Sequence, residues 1–537
     1  MTVSFFYFTL FSRNNFSSRF HPVHEEGDQS TSNQGCFTEV KKPFQYFTRY
    51  LDTTFFENVA MYTNRRNVVE TGKSLGTNAL ELSKFWGCSI VAALLGFPRI
   101  RMCWEGKTRY PLIAHNISRD RFYLIRKSLK LVDDNDVSEE MKNSNAFWKV
   151  QPMLDLVRQA CLKNPRPKNV SIDEQMIPFH GHVRMRQYIR GKPNPVGLKV
   201  FVSATTCGLP LDFCLYEGKG AQISSEKIPM PEKLDIGGRV VLKLSDTLPT
   251  GSSIFMDRYF TSVTLIESLS DRSILACGTI MSSRLPKSVK FMKDSEMKKQ
   301  RGTFDQVVRS DEKVTIVKWY DNMPIFLASS EHGIEPVENC KRWCKKDRAH
   351  IQVPRPHLVK QYNTNMGGVD MLDRVLGKYA MRGRTRKWTV RVMHHFVDFV
   401  IAACWIEYRT AAKENGWRKK DILPYFQFKL DVAENLIYPD SALEGKADGF
   451  SESEEERDDD MNTVSNQKRR APTPLPAIAK RTQNALHIPE MMNTTQKTRS
   501  RCRALGCSKL TFVRCADCKI FLCFTTDRNC FMNFHRQ

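Results

Sequence analysis

The sequence is short of acidic residues: 58 Asp and Glu stand against 82 Lys and Arg in 537 residues, a formal net charge of +24. An excess of that size calls for an anionic partner, and nucleic acid is the leading kind. Long apolar runs are lacking as well. The best, 88–97, is too short to cross a bilayer and follows Glu81 and Lys84 on the same expected helix, so no membrane partner is expected. Residues 1–11 are apolar but lack a basic stretch before them and a small-residue cleavage site after them, and Arg13 and Arg19 follow; a secretory leader is not expected. A disulfide framework is missing too. Most of the 16 Cys are scattered singly before residue 500 and the rest cluster beyond it, which suits reduced thiols and a metal in a nuclear or cytosolic compartment. No internal repeat is present.

Residues 1–40 carry Ser, Asn and Gln clusters without periodicity and are expected to be disordered. From residue 41 to 165 apolar residues recur at helical spacing. Phe44, Phe47, Tyr50, Leu51, Phe55, Val59 and Tyr62 predict one helix, Asn78 with Glu81 opens a second, Ser118 a third, and 148–162 forms a fourth. Beyond the Pro-rich linker 164–167 the period becomes alternating, with strands predicted at 170–176, 198–204, 213–216 and 252–256. Strands that alternate with helices predict an α/β domain with a mixed sheet. Two strands at 313–320 and 324–329 lie in a basic stretch, 283–358, that reads as an insertion outside that sheet. A long apolar helix is predicted over 388–408, and 441–499 is a low-complexity acidic then basic linker with two candidate nuclear-import clusters.

Four aspartates stand out. Asp173 and Asp257 each sit where a predicted strand ends, and Asp370 and Asp373 lie three apart on one face at the start of a predicted helix. Hard carboxylate oxygens of this kind can hold two divalent cations about 3.5–4 Å apart, which is the arrangement phosphodiester chemistry needs. Taken singly, each aspartate is equally well a turn former or a helix-terminus charge. Basic residues follow two of them: Arg184, Arg186, Arg190 and Lys192 after the first, Arg382, Arg384, Arg386 and Lys387 after the last, both candidate DNA contacts.

The stretches SIDEQMIPFHGHVRMRQYIRGKPNPVGLKVF, DIGGRVVLKL, IFMDRYFTS, LACGTI, VKWYDN and YNTNMGGVDMLDR, in this order, resemble the piggyBac-type transposases. The resemblance implies an RNase H-like catalytic core, 166–282 and 359–440, interrupted by an inserted domain at 283–358 and preceded by a helical DNA-binding and dimerisation domain at 41–165. It carries Mg²⁺-binding roles to Asp173, Asp257 and Asp370, with two ions, and makes Asp373 a further required acid. The implied reaction is cut-and-paste DNA transposition: hydrolysis at the element end, attack of the freed 3′-hydroxyl to form a hairpin, and joining to a TTAA target. The implied partners are double-stranded DNA and a second copy of the chain, in the nucleus. A transposase-derived DNA-binding protein that no longer transposes is the alternative reading.

At the C-terminus, 500–537, Cys502, Cys507, Cys515, Cys518, Cys523, Cys530 and His535 place seven soft or borderline ligands in a few dozen residues. Such spacing suits structural Zn²⁺, and seven exceeds the four that one tetrahedral ion takes, so a cross-braced module with two ions is expected. Asp527 or His487 can supply the eighth ligand, or one site is incomplete. A protein-binding module of RING or PHD type has compatible spacing, but it leaves the four aspartates unexplained. In the resembled family this module recognises the element ends.

Overall fold

The computed structural model describes residues 39–439 except 219, 222, 226 and 228–230, together with 487, 489–491 and 500–536 except 526. The segments expected to be disordered, 1–40 and 441–499, lie almost wholly outside the described residues. The chain forms two compact units, the first ending at Ala447 and the second beginning at Asp448.

The first unit opens with helices α1 (Pro43–Thr48), α2 (Thr53–Thr71), α3 (Ala79–Leu95), α4 (Pro111–Ala114), α5 (Arg119–Ser128), α6 (Glu139–Ser144) and α7 (Gln151–Leu162). The single helix predicted across 44–62 is two. Asp52 accepts the N–H of Phe55 at 2.9 Å and so starts α2 afresh, because a short Asp side chain competes with the preceding turn for helical N–H groups. Asn78 and Ser118 cap α3 and α5 as their sequence positions require.

A mixed sheet follows. Strands β1 (Asn169–Pro178), β2 (Arg186–Tyr188), β3 (Val196–Thr205), β4 (Pro210–Leu215), β5 (Ser253–Met256), β6 (Leu275–Thr279), β7 (Phe304–Val308), β8 (Thr315–Tyr320) and β9 (Pro324–Ser329) run in the order β2-β3-β1-β5-β6-β9-β8-β7, with β4 also on β3. β1 pairs parallel with β5 and antiparallel with β3. Part of the stretch read as lying outside the sheet continues it, since β9 pairs with β6 through Cys277 and Ser329. Only β10 (Glu338–Cys344) and β11 (Ala349–Arg355) form a separate two-stranded ribbon.

Helices α8 (Ile236–Ser245) and α9 (Val263–Ser270) cover one face, packing on Val170, Ile172, Ile254 and Met256. The other face carries α11 (His357–Asn365), α12 (Gly368–Gly377) and α13 (Trp388–Glu414), after the short α10 (Asp294–Met297). With α14 (Tyr425–Ile437), α13 shares a single apolar core with α1–α3, α5 and α7. α13 is long and apolar enough to span a membrane by length and composition, yet 78% of that window is buried within the fold. It is the long apolar helix predicted over 388–408, extended to Glu414.

Arg49 at the end of α1 pairs with Glu407 of α13 and donates to Asn164 at 2.9 Å, tying the first helix, a late helix and the linker before β1 into one contact. Glu407 is buried while Arg49 stays partly exposed, so removing Arg49 would leave a buried carboxylate without its partner.

The second unit consists of short strands β12 (Pro489–Met491), β13 (Ser500–Arg501), β14 (Leu510–Thr511), β15 (Val513–Cys515), β16 (Phe524–Thr525) and β17 (Arg528–Asn529), then α15 (Cys530–Arg536). Its apolar core rests on few side chains besides cysteine, among them Val513, Ile520, Leu522, Phe531 and Phe534.

Candidate functional site

Register brings the first two aspartates together. Ile172 of β1 is the parallel partner of Met256 of β5, so the next residues, Asp173 and Asp257, stand side by side on adjacent strands. Adjacent strands lie about 4.8 Å apart, within reach of a shared ion. Asp257 does end its strand. Asp173 does not: it is the fifth residue of β1, whose ladder to β3 continues to Pro178 although its ladder to β5 stops at Ile172.

Local chemistry holds Asp257 in place. Its Oδ1 accepts the N–H of Tyr259 at 2.8 Å and its carbonyl accepts the Thr261 hydroxyl at 2.9 Å, a tight turn that hands over to α9 through the Ser262 cap. That turn leans on β6 so closely that a Cβ on Gly278 would lie 2.2 Å from Thr261 Oγ1. Glycine is the one residue that admits this approach.

Asp370 lies in the first turn of α12 and Asp373 one turn on. α12 sits directly on the sheet: a Cβ on Gly368 would lie 2.2 Å from the Thr205 carbonyl and 2.3 Å from Ser171 Oγ. Asp373 accepts a short hydrogen bond from the Gln175 amide, and Gln175 Oε1 lies 2.9 Å from His395 Nε2 on α13. Burial lowers the His395 imidazole to about 3, so the ring is neutral, and facing an amide oxygen it donates from Nε2.

The carboxylates outnumber the one ammonium, Lys192, that pairs with them. Glu174, Asp173 and Asp257 each offer an oxygen, and the three lie within 4.8 Å of one another. Burial and then the Glu174 charge push the Asp173 carboxyl well above the usual range; burial also raises Asp257, and it pushes Asp373 up to about 6. A set of hard oxygens that binds protons too tightly fits a divalent cation such as Mg²⁺. Asp370 is exposed and lies outside the close trio. Burial works against the Lys192 ammonium, but the fields of Asp173, Glu174, Asp373 and Asp370 raise its pKa, and its Nζ lies 3.5 Å from Glu174 Oε1.

Lys192 therefore departs from the cationic track expected of it. Arg184, Arg186 and Arg190 are exposed in and beside β2, at alternate positions with Tyr188, whereas Lys192 turns in toward the acids. Arg382, Arg384, Arg386 and Lys387 are exposed between α12 and α13; there the Lys387 Nζ donates to the Lys127 carbonyl at 2.6 Å and the Arg126 guanidinium to the Arg384 carbonyl at 2.8 Å.

Four residues of the site escaped the sequence reading: Glu174, Gln175, Lys199 and His395. Strand alternation sends Glu174 to the face opposite Asp173, so its oxygen beside Asp257 could be found only by seeing that β5 ends there. Lys199 is buried on β3, its ammonium 4.0 Å from the centre of the Tyr259 ring, and burial lowers its pKa.

In the second unit the ligands fall into two sets of four. Cys502, Cys507, Cys523 and Cys530 form one; His487, Cys515, Cys518 and His535 form the other. Of the two candidates for the eighth ligand it is His487 that joins, its Nδ1 3.6 Å from both Cys515 Sγ and Cys518 Sγ. Along the chain the Cys515/Cys518 pair falls between the Cys502/Cys507 and Cys523/Cys530 pairs, with His487 before and His535 after them, so the two sets interleave as a cross-brace. In the first set the backbone N–H of Lys509 draws the Cys507 thiol down to about 7, while burial pushes Cys523 up to about 12 and Cys530 up to about 11. Four sulfurs so crowded cannot all ionise without a cation, and the all-sulfur and Cys₂His₂ donor sets both fit Zn²⁺.

A family profile described as Transposase IS4 matches residues 42–405. The human PiggyBac transposable element-derived protein 3 is 31% identical over 382 residues, which cover 70% of this chain and 62% of that protein. The human PiggyBac transposable element-derived protein 2 is 30% identical over 384 residues, 69% of this chain and 62% of that protein. The match therefore spans about three fifths of each relative's length. A cryo-EM structure of a piggyBac transposase synaptic complex with hairpin DNA superposes with a TM-score of 0.61 at 20% identity, covering 77% of this chain and 84% of that one, a likeness of fold.

Proposed function

This chain belongs to the piggyBac-type transposase family, and on that premise we propose that it excises a DNA element and joins it to TTAA targets by metal-dependent cut-and-paste transposition. The observation that carries the reading is the close approach of Asp173, Glu174 and Asp257 just past the last β1–β5 pair. The order β4-β3-β1-β5-β6 agrees with an RNase H-like core, in which the remaining strands β7–β9 and the ribbon β10–β11 make up the insertion.

In this reading Asp173, Asp257 and Asp370 hold two Mg²⁺. When bound, the ions stabilise the attacking and leaving oxygens of an in-line displacement at phosphorus. The chain's own groups do the positioning. The 257–261 turn fixes Asp257, and Gln175 with His395 orients Asp373. Arg184, Arg186 and Arg190 offer guanidinium groups to the phosphate backbone, as do Arg382, Arg384, Arg386 and Lys387 on the other side of α12. Lys192 offsets the carboxylates from within. No protein nucleophile is required, and none is assigned. The terminal module, holding two Zn²⁺, binds the element ends; two copies of the chain synapse them, in the nucleus.

The test is strand cleavage and joining by purified protein on labelled DNA carrying the element ends that flank its own gene, in Mg²⁺ against EDTA and with Asp257→Ala. Metal-dependent nicking and hairpin formation, lost in the variant, is the expected result. Specific binding of those ends without cleavage by the wild type would instead make this a DNA-binding derivative of a transposase.

A further inference from the structure

The ribbon β10–β11 stands apart from every other strand of the first unit, and its two faces differ in kind. One face is anchored. Cys340, Val353 and Ile351 pack with Trp319, Leu358 and Val359, and the Trp319 indole donates to the Pro354 carbonyl at 3.0 Å. Asp321, in the β8–β9 turn, fixes the ribbon from below by accepting from Arg342 at 3.0 Å and from Arg301, which in turn donates to the Trp343 carbonyl at 3.0 Å. A ribbon held this way is mounted rigidly.

The other face is bare. Trp343 is 51% exposed, its ring resting edge-on against exposed His350 directly opposite. Lys341 beside it is exposed, as are Lys345, Lys346 and Arg348 in the four-residue turn. Among the described residues these four cations make no ion pair. One carboxylate, Asp347, shares the tip, and the other acid of the ribbon, Glu338 at its base, is already neutralised by Lys360 and Arg355. Arg348 also has φ +48°, a left-handed conformation that Gly or Asn adopts more readily. The fold thus keeps a long cationic side chain where turn geometry favours a small one, and leaves a large aromatic uncovered beside it.

We infer that this ribbon is a duplex-DNA-binding finger. A two-stranded ribbon fits the major groove, and here the turn cations meet the flanking phosphates while the Trp343 ring lies against the groove wall. Charge selects the occupant: four unpaired cations against one carboxylate complement a polyanion. The inference rests on the DNA-processing reading above and adds to it a contact surface separate from the catalytic carboxylates.

The experiment measures binding of the full-length protein to a fluorescein-labelled duplex of random sequence, and to a single strand of equal length, across a salt series. Lys345→Ala/Lys346→Ala/Arg348→Ala should flatten the slope of log K against log salt by about 0.9 for each cation that reaches a phosphate, hence by about 2 to 3. Trp343→Ala should weaken duplex binding about fivefold or more with its slope unchanged. Lys345→Arg/Lys346→Arg keeps the charge and should keep the wild-type slope, which separates charge from folding. A triple variant with the wild-type slope overturns the inference, and so does a Trp343→Ala loss seen only on the single strand. If the wild type binds and cleaves DNA and the triple variant matches it, the finger alone is wrong; if the wild type binds no DNA, the functional reading fails with it.

Discussion

His395 Nε2 lies 2.9 Å from Gln175 Oε1, and the Gln175 amide donates to Asp373. Gln175 Oε1 can only accept, so the neutral imidazole presents its Nε2–H to it, which leaves the amide N–H of Gln175 for the carboxylate. A long helix, a central strand and α12 are thereby joined by one directional chain of hydrogen bonds. Gln175→Leu removes its middle member. Cleavage should fall about 10- to 100-fold, the usual effect of losing an outer partner of a metal-site group. Gln175→Glu should be at least as damaging, since it sets a second carboxylate against Asp373. Single-turnover rates at saturating Mg²⁺ check both.

Asp373 has a folded pKa of about 6, above the ordinary carboxylate value of 3.8, with burial as the first cause. A carboxyl raised in this way contributes its stability below pH 3.8 and loses it as pH rises through 6. Asp373→Asn keeps an oxygen for Gln175 and removes the charge. In EDTA the variant should be more stable than wild type at pH 8, by about 1–3 kcal/mol, and the gain should vanish as pH is lowered through the shifted range. Thermal unfolding at a series of pH values decides it, and the same variant should cleave poorly.

Gly368→Ala tests how closely α12 must sit. The added methyl would meet the Thr205 carbonyl and Ser171 Oγ, both backed by strands that cannot yield. The helix should lift, at a cost of about 1–3 kcal/mol. Because a shift of about 1 Å at a reacting centre can cost about 100-fold in rate, cleavage should fall further than the melting temperature implies.

The two ligand sets of the second unit predict separable zinc losses. His487→Ala should reduce the bound zinc from two ions per chain to one, and Cys502→Ser should do the same through the other set. Metal analysis of the purified variants measures it. If His487→Ala retains the full zinc content, the eighth ligand is another residue.

Much of the site was legible because its residues end or begin elements. Asp257 follows a short apolar strand, and Asp370 opens a helix after Gly367-Gly368. What stayed hidden depended on pairing between distant segments. Glu174 faces away from Asp173 by strand parity and returns to the site only because β5 stops short. Lys192 reads as one more member of a basic run until the chain turns it toward the acids. His395 sits in an apolar helix whose pattern announces core and nothing else. Strands β8 and β9 read as leaving the sheet, since nothing local says that Ser329 pairs with Cys277, and β7 is not among the predicted strands. The bare face of the β10–β11 ribbon lacks the apolar alternation by which a strand is recognised.

The contact between Arg49 and Glu407 joins residues 358 positions apart in the chain. Helices α1–α3, made early, bury their apolar faces against α13 and α14, which are made late. During synthesis the leading helices must therefore wait, with aromatic surface uncovered, until nearly the whole first unit has emerged. Folding should be slow and of high contact order, and the nascent chain should depend on chaperones until residue 437 is available. A copy truncated within α13 would lose more than its last helices, because the first ones would then have nothing to fold onto.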